Sequence, residues 1–196
     1  YNMKKSKLYG LVLAGGKSSR MGKDKGLLNY HGMPQRDFLF NLVNSYCEKV
    51  FFSVRSDQKN ELDNKPFIVD QNKYRGPFNG ILSAHNQYSK VAWLVLACDL
   101  PLLNKETLSL LVRSRDVTKK ATALATKETN LPEPLISIWE PSGLSSAVIH
   151  METSESSCAR KFLINSDIKI IYPKEDKLLY NANSIDEYKT AKSIIN

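Results

Sequence analysis

The sequence predicts an α/β fold built on a mostly parallel sheet, and three observations lead to that prediction. Short runs rich in apolar and β-branched residues alternate along the chain with segments whose apolar residues recur at helical spacing. No internal repeat, low-complexity tract or Pro/Gly/Ser-rich linker divides the 196 residues. Apolar residues make up 42% of the chain and charged residues 24%, as in an ordinary globular protein. These features favour one domain with right-handed crossovers between parallel strands.

Seven strands account for the apolar runs. The first run ends at Gly15-Gly16, and the most apolar run is followed closely by Asp99. The predicted strands cover residues 8–14, 50–54, 66–69, 91–98, 121–125, 135–139 and 168–172. Sheets of this kind bind ligands at the carboxyl ends of their strands, so the residues that follow these runs are the candidate ligand-binding residues.

Helices are predicted between the strands. The first follows Pro34, where apolar residues recur every three or four positions. Asn104 is placed to cap another helix, and Ser184 with Glu187 three residues later forms a capping box that begins a final helix ending at Ile195. The helix that Asn104 caps is predicted over residues 105–115, and the remaining predicted helices cover residues 81–88 and 156–163.

The net charge of the chain is basic but concentrated in one segment. The chain has 28 Lys and Arg against 20 Asp and Glu, a net charge of +8, and residues 1–25 carry +6 of it. A nucleic-acid or membrane-surface binder usually spreads such charge along a face or tail, so neither partner is expected. The longest apolar run, residues 91–98, is far shorter than the roughly 20 residues that span a bilayer.

The first residues and the cysteines indicate the compartment. Residues 1–7 are interpreted as a basic extension, in which Tyr1 and Asn2 ahead of Met3 are an added remnant, and residues 8–196 as the domain. No long apolar segment with a cleavage site is present, so no signal peptide is expected. Three cysteines without CxxC spacing fit reduced thiols. We therefore expect a cytoplasmic protein.

The first strand ends in a basic glycine loop, LAGGKSSRMGKDKGLL, over residues 13–28. Consecutive glycines let the backbone approach a ligand closely and offer N–H groups to an anion. Four bases follow within nine residues: Lys17, Arg20, Lys23 and Lys25. The spacing fits neither the P-loop nor the dinucleotide GxGxxG signature. The loop indicates phosphate binding, and a glycine turn beside a solvated basic surface is the alternative.

Carboxylates follow two of the predicted strands. Asp99, in ACDLP, comes after the most apolar strand, and Asp70 follows the strand at residues 66–69. A carboxylate at the end of a buried strand is costly without compensation, and Mg²⁺ typically uses one or two carboxylates together with substrate phosphates. A turn or helix cap is the alternative for Asp99. No histidine has the spacing of a nucleophile or metal site, so positioning and electrostatics around a nucleoside triphosphate are the expected chemistry.

These motifs, in this order, resemble the nucleotidyltransferase family that includes the molybdenum cofactor guanylyltransferases. The resemblance rests on LAGGKSSRMGKDKGLL, on Asp70 with GPFNG, on LACDLPLL, on EPLISIW and on NANSIDEY, and it covers nearly the whole chain. It implies a single-domain three-layer sandwich of the nucleotide-diphospho-sugar-transferase type with a Rossmann-like nucleotide-binding half. The implied reaction transfers GMP from Mg-GTP to the phosphate of molybdopterin and releases pyrophosphate.

The resemblance also implies roles for individual residues in nucleotide binding. Arg20 and Lys25 would hold the triphosphate and stabilise the transition state, and Asp70 would contribute to the guanosine pocket. Asp99 would ligate Mg²⁺, or Mn²⁺ in its place. The nucleotide would also contact the end of the first strand and its glycines, mainly through the backbone: Leu13, Ala14, Gly15 and Gly16.

The second substrate and the partners follow from the same resemblance. Three residues near the starts of EPLISIW and NANSIDEY would help to position molybdopterin: Pro134, Asn181 and Asn183. The metal is the alternative ligand for the two asparagines. The expected small-molecule partners are GTP and molybdopterin. The expected protein partners are molybdenum-cofactor insertion proteins or chaperones of target molybdoenzymes.

Several alternatives stay open. A molybdopterin cytidylyltransferase is one, although its branch tends to carry Ala-Ala-Gly where this chain has Leu13-Ala14-Gly15. Another is a guanylyltransferase that uses a different phosphate acceptor. A third is a non-catalytic assembly factor that binds the nucleotide or the pterin. A fourth, a nucleic-acid-binding module, is supported by the net charge alone. Base recognition is also open, because the strand end where the family usually has an asparagine offers Ser53, Arg55 and Ser56 instead.

Overall fold

The computed structural model describes residues 5–16, 24–62, 64–153 and 156–195, which form a seven-stranded sheet flanked by helices. The strands are β1 (Leu8–Leu13), β2 (Lys49–Val54), β3 (Phe67–Val69), β4 (Ala92–Ala97), β5 (Ala121–Ala125), β6 (Pro132–Trp139) and β7 (Lys169–Ile171). Each lies at a predicted strand, but β6 begins three residues earlier than predicted. Prolines disfavour a strand because they cannot donate to its ladder, and Pro132 and Pro134 conceal this start. The register of β5 against β6 shifts between Ala123 and Ala125.

Within the described ranges, six α-helices connect or flank the strands. They are α1 (Gln35–Asn44), α2 (Pro77–Gln87), α3 (Lys105–Arg113), α4 (Pro141–Thr153), α5 (Ala159–Ile164) and α6 (Ile185–Ile195). Both predicted caps are present: the Asn104 side chain accepts the N–H of Thr107 at 2.9 Å, and the Ser184 hydroxyl accepts the N–H of Glu187 at 3.2 Å. No helix in the described part of the chain is long and apolar enough to cross a membrane.

Helix α4 lies where the sequence predicts no element. Its first residues, PSGLSS, combine a proline with glycine and serines, which are poor formers of helix interiors. Packing against the sheet overrides this preference, because Leu144 and Ala147 are fully buried. Helix α2 also starts four residues before its predicted start, and Gly80 in its first turn accounts for the difference.

The strand order is β3-β2-β1-β4-β6-β5-β7. Strand β6 is antiparallel to both of its neighbours, whereas the remaining strand pairs are parallel. The prediction of a mostly parallel sheet is therefore confirmed, and the parallel part, β3-β2-β1-β4, has the order of a Rossmann-type half. In the centre, Leu13 of β1 is paired with Ser53 of β2 on one side and Ala97 of β4 on the other. The residues that follow these strands consequently meet at one edge of the sheet.

Two apolar clusters cover the two faces of the sheet and produce the predicted three layers. Strand side chains alternate between them, so that Val12 points to one cluster and Leu11 to the other. On the first face, α1 and α3 contribute Leu39, Val43, Leu108 and Leu111. On the second face, α2, α4 and α5 contribute Phe78, Ile81, Leu144, Ala147, Phe162 and Leu163. Helix α6 packs elsewhere, with Ala191 in a small cluster beside Tyr30, Leu102 and Ala182.

Helix α4 lies against the chain just before β5, and Gly143 makes that approach possible. A Cβ atom at this position would overlap the backbone carbonyl of Lys120. Glycine to alanine in a helix normally stabilises by about 1 kcal/mol, but here we expect Gly143→Ala to destabilise the fold by about 1–3 kcal/mol through overpacking. Equilibrium unfolding in urea would measure the change in the free energy of unfolding, with Ser142→Ala at the exposed neighbouring position as control. A stability equal to or above that of the wild type would contradict this packing.

Candidate active site

A cleft of about 400 Å³ opens at the edge of the sheet where β1, β2, β3 and β4 end. Its lining includes every predicted nucleotide-contacting residue that the structure describes: Leu13, Ala14, Gly15, Gly16, Lys25, Asp70 and Asp99. Arg20 falls within residues 17–23 and lies outside the described residues. The glycines after β1 and the two carboxylates after β3 and β4 therefore share one cavity.

Lys25 and Asp99 are held on one side of the cleft by the segment that precedes α6. The Lys25 ammonium donates to the side-chain oxygen of Asn183 at 2.6 Å. One residue earlier, the backbone N–H of Ala182 donates to the carbonyl oxygen of Asp99 at 2.8 Å. The C-terminal segment thus holds the Lys25 ammonium and the backbone of Asp99, which come from two different loops.

The carboxylate of Asp99 is ionisable but poorly solvated. Burial raises the pKa of Asp99 above its ordinary value, while the nearby Lys25 ammonium and a backbone hydrogen bond oppose the rise. The Glu133 carboxylate adds a smaller repulsion in the raising direction. A cation brought into the cleft would therefore find an incompletely compensated negative charge at Asp99.

Asp70 and Ser53 form a second polar pair on the opposite side of the cleft. The Ser53 hydroxyl donates to Asp70 Oδ1 at 2.6 Å. Burial raises the pKa of Asp70, and the Ser53 hydrogen bond and the Arg55 charge lower it in part. Helix α2 approaches this pair at Gly80, where a Cβ atom would overlap the Ser53 hydroxyl. Glycine at position 80 therefore lets the first turn of α2 pack directly against Ser53 and Asp70.

The Ser53 hydrogen bond gives a test of this electrostatic arrangement. Because the bond stabilises the ionised form of Asp70, Ser53→Ala is expected to raise the pKa of Asp70 further. Carbon-13 NMR titration of the side-chain carboxyl would measure the shift. The exposed Ser56→Ala serves as the control and should leave the titration unchanged. An unchanged or lower pKa in Ser53→Ala would contradict the role given to this hydroxyl.

Arg55 and Gln58, which follow β2, bind the glycine loop, and neither is a predicted site residue. The Arg55 guanidinium donates through Nη1 to the carbonyl oxygen of Gly15 at 2.8 Å. The buried Gln58 donates through Nε2 to the carbonyl oxygen of Ala14 at 3.2 Å and to the carboxylate of Asp24 at 3.0 Å. The only sequence signal for Arg55 is its place just after a strand at the ligand-binding edge.

The three residues expected to position a second substrate have different surroundings. The Asn183 side chain contacts Lys25, and both Asn181 and Asn183 lie outside the cleft lining. Pro134 is buried in β6, and its carbonyl oxygen accepts hydrogen bonds from the Ser137 hydroxyl at 2.6 Å and Trp139 Nε1 at 3.2 Å. Its neighbour Leu135, rather than Pro134, lines the cleft. The role of Pro134 stays a prediction.

The described residues place no protein-only metal cluster beside the cleft. In the part of the chain that the structure describes, no group of three or more His, Cys, Asp and Glu residues could hold a metal ion. The histidines pack instead: the His31 ring stacks on Phe38 with centroids 3.8 Å apart, and His85 is buried beside Ser145. The charged groups that line the cleft are the carboxylates of Asp24, Asp70 and Asp99 and the side chains of Lys25 and Arg55.

The family of the chain follows from comparison with known proteins. A family model described as the MobA-like NTP transferase domain matches residues 10–168, most of the chain. The chain belongs to the MobA-like NTP transferase family. The matched range begins within β1, contains β2 to β6 and includes the cleft-lining residues named above. As a MobA-like protein the chain is a nucleotidyltransferase.

Two relatives show how far the sequence similarity extends. A molybdenum cofactor biosynthesis bifunctional protein from Synechocystis is 37% identical over 183 residues, which cover 92% of this chain and 52% of that protein. The chain thus spans about half the length of this relative. A probable molybdenum cofactor guanylyltransferase from Clostridium perfringens is 29% identical over 187 residues, which cover 91% of this chain and 92% of that protein.

Solved structures show the same MobA-like fold. A molybdopterin-guanine dinucleotide biosynthesis protein A from Archaeoglobus fulgidus superposes with a TM-score of 0.77 at 21% identity, covering 95% of this chain and 97% of that one. A nucleotidyl transferase from Methanothermobacter superposes with a TM-score of 0.78 at 14% identity, covering 96% of this chain and 97% of that one. The predicted α/β sandwich is confirmed by both.

Proposed function

We propose that this MobA-like chain is a molybdenum cofactor guanylyltransferase. It transfers GMP from GTP to the terminal phosphate of molybdopterin, forms the guanine dinucleotide of the cofactor and releases pyrophosphate. The observation that carries the proposal is the juxtaposition of Lys25 and Asp99, held by the segment of Asn183 beside the glycine turn after β1. Similarity to the relative from Clostridium perfringens, which spans nearly all of both chains, supports it.

In the proposed reaction the chain positions two phosphates and needs no protein nucleophile. An oxygen of the molybdopterin phosphate forms a bond to the α-phosphorus of GTP, and the bond from that phosphorus to the bridging oxygen breaks. Pyrophosphate leaves with the electron pair of the broken bond. The Lys25 ammonium stabilises the charge that develops on the triphosphate, because it lies in the cleft already oriented by Asn183.

The backbone at the end of β1 receives the nucleoside part of GTP. Gly15 and Gly16 carry no side chain that would hold a ligand away from the peptide groups, and Leu13 and Ala14 continue the same wall. Asp70, held by Ser53, lies on this side and accepts hydrogen bonds from ribose or base. We assign Arg20 a triphosphate contact from its place in the basic loop.

Asp99 fits a magnesium ion. Asp99 is half-buried and its carboxylate is incompletely compensated, and it stands beside the expected phosphates without two further protein ligands among the described residues. Mg²⁺ is commonly bound in this way, by one or two carboxylates together with substrate phosphates. Mg²⁺, or Mn²⁺ in its place, would supply Lewis-acid polarisation of the phosphates when bound. Asp99 would hold the metal ion, and the Lys25 ammonium would balance the remaining negative charge of the triphosphate.

Molybdopterin would enter from the side of β6 and the C-terminal segment. We assign Asn181, Asn183 and Pro134 to this side, with Asn183 linking the second substrate to Lys25. We also assign the catalytic domain to residues 8–196 and a basic extension to residues 1–7. Molybdenum-cofactor insertion proteins or chaperones of target molybdoenzymes are the proposed recipients of the product.

Pyrophosphate release tests the proposal. The purified chain with Mg²⁺ is incubated with GTP, CTP or ATP, with and without molybdopterin, and pyrophosphate is measured by an enzyme-coupled assay. We expect release with GTP that requires molybdopterin. Preferential release with CTP would identify a cytidylyltransferase instead. Binding of GTP without any release in the presence of molybdopterin would identify a non-catalytic binding protein.

A further inference from the structure

Arg55 lines the cleft with a guanidinium that is held in place from two directions. Nη1 donates to the carbonyl oxygen of Gly15 at 2.8 Å, and Nε and Nη2 both donate to the carboxylate of Asp57 at 3.1 Å. The backbone N–H of Arg55 is also bound, by the Gln58 side chain at 3.0 Å. The guanidinium is thus oriented before any ligand arrives, and 28% of the side chain is exposed.

The position of Arg55 in the sheet separates it from the phosphate side of the cleft. Strands β2 and β4 lie on opposite sides of β1, and Leu13 is paired with Ser53 and with Ala97. Ser53 and Ala97 therefore lie about 9–10 Å apart, two strand spacings, and Arg55 and Asp99 each follow one of them by two positions. A nucleotide whose phosphates meet Lys25 and Asp99 therefore places its nucleoside toward Arg55.

The local charge also favours a neutral group at Arg55. The guanidinium is already paired with the carboxylate of Asp57, and the Asp70 carboxyl lies close enough to interact with it. A triphosphate would gain little attraction from an arginine that is surrounded by carboxylates. A base edge carries no net charge, and it can use the hydrogen-bond donors of the guanidinium without meeting that repulsion.

The donors of Arg55 match one base better than the others. The described residues accept one N–H of Nη1, one of Nη2 and that of Nε, which leaves one N–H on each terminal nitrogen. Guanine presents two neighbouring acceptors, O6 and N7, whereas adenine and cytosine present an amino group at the corresponding edge. We infer that Arg55 is the base-selecting residue of this chain and donates to the O6/N7 edge of guanine. This inference rests on the proposed use of GTP.

Binding of nucleotide analogues to the full chain tests the inference without molybdopterin. Isothermal titration calorimetry compares Mg-GTP with 7-deaza-GTP, which lacks the N7 acceptor, and with ITP, which keeps O6 and N7. The wild type is expected to bind GTP about tenfold more tightly than 7-deaza-GTP. In Arg55→Met this ratio is expected to fall close to one, with GTP and ITP weakened by the same factor. Arg113→Met, an exposed arginine at the end of α3, is the control and keeps the wild-type ratio.

Each outcome of this titration decides the inference. Equal affinity of the wild-type chain for GTP and 7-deaza-GTP would overturn it, and this arm needs no variant to fold. If Arg55→Met instead weakened GTP and 7-deaza-GTP by the same factor, the affinity ratio would stay at its wild-type value. That result would show that Arg55 only supports the Gly15 backbone. Arg55→Lys, which keeps the charge but not the planar pair of donors, should behave like Arg55→Met. Absence of any GTP binding by the wild type would instead refute the proposed function.

Discussion

Asp99→Asn is expected to lower kcat by about 100-fold or more while leaving the fold at least as stable. Asparagine keeps the size of the side chain but removes the charge that would hold Mg²⁺. Burial raises the pKa of Asp99, so its ionisation costs folding free energy once the pH rises through that raised pKa. Asparagine has no such cost at any pH. The melting temperature at pH 7 should therefore be unchanged or higher, as measured by calorimetry.

The control for this variant is Asp167→Asn, the same chemical change before β7. Asp167 pairs with Lys119 at 2.6 Å on the surface, and its side chain is 70% exposed. An exposed pair contributes little, so kcat should stay within about twofold of the wild type. Near-normal turnover of Asp99→Asn in saturating Mg²⁺ would show that this carboxylate does not hold the metal.

Lys25→Met is expected to lower kcat/KM for GTP by about 100-fold. The variant keeps the aliphatic stem but loses the ammonium that donates to Asn183 and faces Asp99. Loss of that cation weakens binding of the triphosphate and leaves the Asp99 carboxylate less compensated. Initial rates of pyrophosphate release give kcat/KM. Calorimetry of GTP binding then separates the loss of nucleotide affinity from the loss in the chemical step.

Lys90→Met provides a matched control, because Lys90 is exposed in the turn between α2 and β4, at the opposite edge of the sheet. It should bind and turn over GTP as the wild type does. The double variant of Lys25→Met and Asp99→Asn should lose less than the sum of the two single losses in activation free energy, because both residues act on the same phosphates. Full additivity would mean that they act independently.

The fold is predictable from the sequence wherever local pattern and tertiary packing agree. Apolar runs that end in glycine or aspartate mark β1 and β4, and the alternation with helices predicts the parallel sheet. Agreement fails at β6 and α4. Pro132 and Pro134 conceal the start of an internal strand, and the glycine and serines of α4 conceal a helix that forms because its apolar side chains are buried.

The site is predictable from the sequence only where residues follow strand ends. The glycines, Asp70 and Asp99 do so, and they line one cleft together with Lys25, which comes from the basic loop. The contact of Lys25 with Asn183 joins residues 158 positions apart, and no local pattern indicates such a contact. The orientation of Arg55 likewise depends on the carbonyl of Gly15, which only the pairing of β1 with β2 brings within reach.

The fate of the α-phosphate of GTP tests the central proposal most directly. The purified chain is given Mg²⁺, molybdopterin and GTP labelled with ³²P at either the α or the γ position, and the products are separated chromatographically. We expect α-label in a molybdopterin guanine dinucleotide and γ-label in pyrophosphate, in equal amounts. Release of γ-label as inorganic phosphate, or α-label that never joins the pterin, would contradict a guanylyl transfer.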